Sequence, residues 1–374
     1  EPDVVQPIAY TQDDRGRLWV VTNTNYPKCP GEPKDSILIF EDTDGDGRAD
    51  KRTVFYDKLT FASGIAVGFG GVWVGAPPNL LFFPDKNGDD KPDSEPEVLL
   101  DGWAWEDTHE TLNDFVWGPD GWLYGTHGVF TFSNVGKPGT PASERVKINA
   151  AVWRFHPTKK IFERWAEGGS NQWGIDFSSV GDAFMTHCRS FWGGGGTTYV
   201  IRNGHYWNQG NSNFAPFISN RGPEFAPELK NFLLASARYD SGEGGSGAPG
   251  SGAIYGGHSH VGTMIYLGDN WPDAYRDHLF TNNLFGHQMN HQVIERTGSG
   301  YEAKHAGLDM LLAPDPRYMA VDLQTGPDGA VYLIDWCDLQ HCHNPNPEKW
   351  DRTNGRIYRV SWAATYKPVK VDLG

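Results

Sequence analysis

One short signature, a glycine turn running into an aromatic strand, occurs six times along the chain and restricts it to one kind of architecture. The copies are DDRGRLWVVT, GFGGVWVGA, GPDGWLYGT, SVGDAFMTH, YRDHLFTNN and GPDGAVYLID, with aromatic residues at Trp19, Trp73, Tyr124, Phe184, Phe280 and Tyr332. Successive spacings are 54, 51, 60, 96 and 52 residues. A period near 50 residues that holds several short strands fits the blade of a β-propeller, whereas solenoid units are shorter. The 96-residue interval contains an insertion.

A strand precedes each turn (QPIAYTQ, SGIAVGF, NDFVWGP, QWGIDFS, GTMIYLGD, AVDLQTG) and another follows it (DSILIFED, NLLFFPD, AAVWRFHP, TTYVIRN, HQVIER, GRIYRVSW). These runs are β-branched and aromatic, bounded by Gly, Pro, Asn or Asp. Outer strands are expected at KRTVFYD and PEVLLDG. The expected fold is all-β: a single six-bladed β-propeller over residues 1–374, closed against its C-terminal strand. A long Gly-rich insertion is expected at about 190–257, in the fourth blade region. Its two glycine tracts bracket IRNGHYWNQGNSNFAPF, which suits either a functional lid or a disordered connector.

The formal charge of −15 argues against nucleic acid and anionic membranes as partners. No run of 18 apolar residues is present, so no transmembrane helix is expected. Four cysteines are too few for a disulfide framework, although Cys337 and Cys342 are spaced for a local pair.

Two acidic loops follow the spacing of a calcium loop. Asp42, Asp44, Asp46 and Asp50 occupy relative positions 1, 3, 5 and 9, with Gly47 at position 6. Thr53 stands where an EF-hand has its bidentate glutamate. Asp85, Asn87, Asp89 and Asp93 repeat the pattern one blade later, with Asp90 in place of the glycine. Structural calcium is the expected ligand of both, more weakly at the second; the bland alternative is a solvated acidic turn. Weak calcium loops suit a calcium-rich setting, hence a periplasmic or secreted location.

In a propeller, residues just before the first strand and just after the second meet at one mouth of the central channel, where ligands bind. Those positions hold His109, Asn113, Asn171, Gln172, His258, His260 and Arg317 before first strands. His127, His187, Cys188, Arg189 and Asp335 follow second strands. Several imidazoles and a carboxylate at one mouth can bind a cofactor, ligate a transition metal or move protons. Any one of them is as readily a packed core residue.

The segments ILIFEDTDGDGRADKRTVF, GGVWVGAPPNLLF, HETLNDFVWGPDGWLYG, NAAVWRFHPT, MIYLGDNWP, GPDGAVYLIDW and WDRTNGRIYRV span almost the whole chain. In them the chain resembles the pyrroloquinoline-quinone-dependent (PQQ) sugar dehydrogenase superfamily, six-bladed propellers related to soluble glucose dehydrogenase. It looks closest to the planctomycete and verrucomicrobial branch of membrane-bound dehydrogenases, whose members often continue into helical repeats and a cytochrome domain. The resemblance implies His109, ahead of FVWGPDG, as the general base that takes a hydroxyl proton. It carries over Asn171 as a cofactor contact but not the arginine before it, since Ser170 stands there. The arginines before the last GPDG fall near Met319 and Val321, and only Arg317 is close. A tricarboxylate quinone without those cations binds poorly.

The expected activity is therefore an extracytoplasmic, dehydrogenase-like oxidoreductase of sugars or polyols. His109 is the base, Asn171 and Arg317 are orienting groups, and a cytochrome is a candidate electron acceptor. A metal-dependent carbohydrate lyase or hydrolase is one alternative. A polysaccharide- or protein-binding propeller is the other.

Overall fold

The structure, a computed structural model, describes residues 3–169, 171–187, 197–206, 260–284, 286–306, 309–340 and 349–365. Six antiparallel meanders follow one another in sequence order. Blade 1 is β1 (Pro7–Gln12), β2 (Leu18–Thr22), β3 (Asp35–Glu41) and β4 (Lys51–Leu59). Blade 2 is β5 (Gly64–Val67), β6 (Gly71–Ala76), β7 (Asn79–Pro84) and β8 (Glu97–Leu100). Blade 3 is β9 (Asn113–Trp117), β10 (Leu123–His127), β13 (Ala151–His156) and β14 (Ile161–Glu167), with a hairpin of β11 (Ser133–Val135) and β12 (Val146–Ile148) inside it. Blade 4 is β15 (Gln172–Phe177), β16 (Ala183–His187) and β17 (Thr197–Val200). Blade 5 is β18 (His260–Ile265), β19 (Leu279–Asn283), β20 (Gln288–Thr297) and β21 (Gly300–His305), with β22 (Leu311–Leu312) beside β20. Blade 6 is β23 (Ala320–Thr325), β24 (Val331–Asp335) and β25 (Arg356–Val360).

The repeated turn has a single physical basis. Gly16, Gly70, Gly121, Gly181 and Gly329 all adopt φ between 73° and 81°, the left-handed region that a side chain disfavours. In blade 5 the position is filled by Asp277 at φ 60°, whose carboxylate accepts Ser179 N (2.7 Å) and Ser179 Oγ (2.6 Å) from blade 4. In the two GPDG copies the turn aspartate is also a hub. Asp120 takes Tyr124 Oη at 2.9 Å and Arg154 Nη1 at 2.9 Å; Asp328 takes Tyr332 Oη at 3.0 Å and Arg359 Nε at 2.8 Å.

First strands touch first strands around the ring, β1 to β5, β5 to β9, β9 to β15, β15 to β18, β18 to β23, and β23 back to β1. They therefore line the axis. All but β5 carry a register break against the second strand of the blade. Such bulges re-aim backbone groups away from the ladder. Three buried carboxylates use this to join neighbouring blades. Asp114 Oδ2 accepts Ile175 N at 2.5 Å, Asp176 Oδ2 accepts Ile265 N at 2.7 Å, and Asp322 accepts a backbone N–H of Tyr10. Between blades lie large aromatic side chains, such as Trp73, Trp103, Trp153 and Phe155 between blades 2 and 3.

Blade 6 meets blade 1 through side chains and one backbone bond, Gln6 N to Asn354 O at 2.9 Å, with no shared strand among the described residues. Tyr10 Oη donates to Tyr332 O (2.6 Å) and Gln324 Nε2 to Tyr10 O (3.0 Å). Arg352 reaches Gln6 Oε1 (3.0 Å), Tyr26 O (2.6 Å) and Thr24 O. GRIYRVSW supplies β25, the outermost described strand of blade 6. The strand expected at TTYVIRN is present as the third strand of blade 4, where the stretch that carries the insertion begins. Thr197–Val200 pairs with β16, and buried Tyr206 donates its N–H to Glu167 O at 2.8 Å. Residues 207–257 of the insertion lie outside the described residues.

Two outcomes follow for stability. Arg352→Ala removes charge-assisted bonds to three carbonyl-type acceptors, so a loss of about 2 kcal/mol or more is expected. Hydrogen exchange should show protection failing first in β1 and β24. Burial pushes Asp176 and Asp322 up to about 7, so the folded state holds protons that the unfolded chain releases near pH 4. That contribution is complete below pH 4 and is lost as pH rises through 7. Melting curves of Asp176→Asn should fall less steeply between pH 4 and 7 than those of the parent; an unchanged slope would refute the assignment.

Candidate functional site

The loop from β8 to β9 carries the most organised group of titratable side chains at the rim of blade 3. Trp103, fully buried, anchors its beginning, and Leu112, at φ 55°, ends it where β9 starts. Between them Glu110 N donates to Asp107 O at 3.3 Å, and Thr131 Oγ1 bonds both Asp107 O (3.0 Å) and Asp107 N (3.2 Å). Glu110 is completely buried; its Oε2 accepts Val129 N at 3.1 Å and its Oε1 accepts Phe130 N at 2.6 Å. A Cβ on Gly128 would collide with that carboxylate, so the chain wraps it tightly.

His109 stands beside this pair with its Nδ1 2.7 Å from Asp107 Oδ1 and its side chain 31% exposed. Donor atoms of Asp107, His109 and Glu110 all lie within 4.8 Å of one another. Burial, reinforced by the negative charge of Asp107, raises the Glu110 carboxyl well above the usual carboxylate range, against the two N–H donors. Asn171, on blade 4 at φ 48°, closes the group: its Oδ1 takes the same Val129 N–H at 3.1 Å. His109 and Asn171 thus share a neighbourhood through Glu110. Asp107 Oδ1 meets His109 Nδ1 at contact distance but without hydrogen-bond alignment, so the carboxylate acts on the ring through its charge, and an imidazole so placed can exchange a proton. The same donor set, one imidazole and two carboxylates, can also hold a divalent cation.

The other rim residues fall elsewhere. His127 is fully buried; its Nδ1 lies 3.0 Å from Gly128 O and its Nε2 2.8 Å from Ser133 Oγ, with the ring near Trp103. Burial lowers it to about 4. Both nitrogens are engaged in blade packing, which leaves none for a ligand. His260 is fully buried opposite Asn283 on blade 5, with blade 4 between it and His109. His187 ends β16 opposite Gln172; Arg189 and His258 lie outside the described residues. Arg317 is 40% exposed and paired to Asp351 at 2.6 Å, within its own blade. Asp335 is buried, accepts Met319 N (2.7 Å) and Cys337 N (2.9 Å), and is pushed up to about 6 by burial. It ties the end of β24 rather than facing solvent. Cys337 is buried and has no disulfide partner among the described residues; Cys342 lies outside them. The sequence pattern does not single out Asp107 and Glu110, although DTHE flanks His109 with both.

The first acidic loop brings Asp42, Asp44 and Asp46 within 4.8 Å of one another, all exposed. Asp42 accepts Gly45 N and Gly47 N, each at 2.8 Å, while Asp50 turns to Thr43 N at 2.8 Å. In the second loop, Asp85 and Asn87 accept Asp89 N, Asp89 accepts Lys91 N and Asp93 accepts Lys86 N. Its three aspartates form no such cluster among the described residues. Asp90 takes the left-handed conformation (φ 67°) that Gly47 takes in the first loop, and its carboxylate binds buried Arg17 of blade 1 at 2.7 Å.

Among solved structures the same ring occurs in glucose dehydrogenases. An oxidoreductase (glucose dehydrogenase) from Thermus thermophilus matches at TM-score 0.58 and 15% identity, over 94% of this chain and 96% of that one. A second glucose dehydrogenase gives 0.53 and 14%, over 96% and 97%; a third gives 0.54 and 13%, over 97% and 99%. At these identities the likeness is one of fold, the six-bladed propeller. By sequence the chain belongs to the family Domain of unknown function (DUF7133), whose profile matches residues 1–364. No curated protein matches it.

Pyrroloquinoline quinone is a tricarboxylate and needs cationic partners. The neighbours of His109 described above are carboxylates, and Arg317 is spent on Asp351. This donor set does not suit the quinone. The carboxylate beside Nδ1 does predict the tautomer of the neutral imidazole: ¹H–¹⁵N spectra should show His109 with its proton on Nδ1, and Asp107→Ala should return it to the Nε2–H form that free imidazoles favour. An unaltered tautomer would show that Asp107 does not set it.

Proposed function

We propose that this chain is an extracytoplasmic, dehydrogenase-like oxidoreductase of sugars or polyols, with His109 taking the hydroxyl proton. The observation that carries the reading is the 2.7 Å approach of Asp107 Oδ1 to His109 Nδ1. Asp107 orients the ring and balances the imidazolium that forms. Asn171, fixed through Val129 N–H, offers its amide to a second hydroxyl. The carbinol carbon gives up its hydride equivalent to a two-electron acceptor, and the product is a carbonyl compound. Cytochrome is the proposed onward acceptor in the cell, two haems each taking one electron from the bound two-electron acceptor that receives the hydride. The glucose dehydrogenases that share the fold support the substrate class. The first acidic loop is proposed to bind structural calcium, which supports the extracytoplasmic setting.

A second reading is favoured by one observation, the clustering of Asp107, His109 and Glu110. With a divalent cation on those three, the chain would be a non-redox lyase or hydrolase of carbohydrates.

The test is dye-linked oxidation of D-glucose, D-xylose and D-sorbitol, with and without added quinone and calcium. His109→Ala is expected to lower the rate about 10²–10⁴-fold, the usual weight of a general base. Dye reduction that is indifferent to His109→Ala removes the first reading. Product formation without dye reduction, dependent on Glu110 and on added zinc or manganese, establishes the second.

A further inference from the structure

The segment after β10 holds an aromatic ring at the candidate site under unusual constraint. Val129 (2% exposed) and Thr131 (0%) point inward on either side of Phe130, which is 45% exposed. The backbone between them cannot shift easily. Val129 N and Phe130 N are bound by Glu110, Thr131 Oγ1 is bound to Asp107, and buried Asn149 Nδ2 donates to Val129 O (2.6 Å) and Thr131 O (2.9 Å). Alternation along this clamped stretch sends the Phe130 ring outward. The ring and the part-exposed His109 imidazole are thereby fixed to the same carboxylate pair.

Phe69 is the other exposed phenylalanine among the described residues, and its ring lies 4.8 Å from that of Trp117. Phe130 has no ring neighbour among the described residues. A flat apolar face next to the part-exposed Asp107 carboxylate and an imidazole matches one chemistry well: a ring with one apolar C–H face and hydroxyls at its edge. The geometry points to Phe130 as the platform on which a cyclic sugar stacks, its edge hydroxyls turned to Asp107 and His109. This rests on the reading of the rim as a sugar site, and it selects ring sugars over open-chain polyols, which have no such face.

The test measures affinity by saturation-transfer NMR and calorimetry on the full chain, with D-glucose, D-galactose and D-xylose against D-sorbitol and glycerol. Phe130→Ala should weaken at least one cyclic sugar about tenfold, the weight of one aromatic contact. Phe130→Trp should retain that affinity, and the polyols should change less than about twofold. Where turnover is seen, the loss should fall on KM with kcat nearly constant. The platform is overturned if Phe130→Ala leaves every sugar unchanged, if sugars and polyols weaken alike, if Phe130→Trp behaves like alanine, or if none of the three sugars binds. Phe130-dependent sugar binding in a chain whose turnover is absent or indifferent to His109→Ala would leave the platform standing and remove the catalytic reading alone.

Discussion

The close approach of neighbouring first strands at the axis governs this structure. At Gly174 (φ 140°) a Cβ would run into Thr263 Oγ1, and at Gly64 into the Phe115 ring and Leu112 O. At Gly262 (φ 66°) it would press on Leu323 and the backbone of Asp322. Strands this near cannot keep a regular ladder to their own second strand and also fit the ring, so they bulge. A bulge leaves N–H groups without a ladder partner in a place water does not reach, and such groups are expensive to bury unpaired. Asp114, Asp176 and Asp322 accept bonds from the next blade, which makes blade-to-blade contact directional as well as apolar.

The same constraint reaches the candidate site. The bulge at the start of β9 places Leu112 and Asp114 at φ 55° and 54°, and Ser63 Oγ donates to Leu112 O at 3.0 Å. The loop that carries His109 therefore ends on a point pinned from blade 2 and begins on Trp103 in the core. Its polar groups turn inward onto residues 128–131, where Glu110 meets two backbone N–H groups. The Asp–His–Glu arrangement is a consequence of ring closure two residues away as much as of the loop's own sequence.

The glycine turns are legible in the sequence because backbone strain leaves a direct mark: five glycines and one aspartate sit at one left-handed position. Strand order is legible for a similar reason, since most strands end at Gly, Pro, Asn, Asp or Ser. Side-chain direction in rim loops is not, because tertiary contacts set it. Topology sends both His109 and Asn171 to the rim, but the residue joining them, Glu110, lies in an ordinary polar stretch. His127 occupies the same rim position by topology, yet its ring turns into the Trp103 packing. The axial aspartates stay hidden because a carboxylate on a strand usually marks the solvated face.

Charge narrows what this rim can hold. Each described arginine near the blade 6 rim is already engaged, Arg317 by Asp351, Arg356 by Asp315 at 2.7 Å, and Arg352 by the carbonyls that close the ring. What His109 meets instead is the Asp107 carboxylate, with the buried Glu110 carboxyl behind it, in a chain of net charge −15. Like charges in a poorly hydrated mouth repel an anion strongly, whereas a neutral polyhydroxyl molecule can donate to them. A ligand suited to this group is therefore uncharged and rich in hydroxyl donors, or it arrives with a cation that the carboxylates can share.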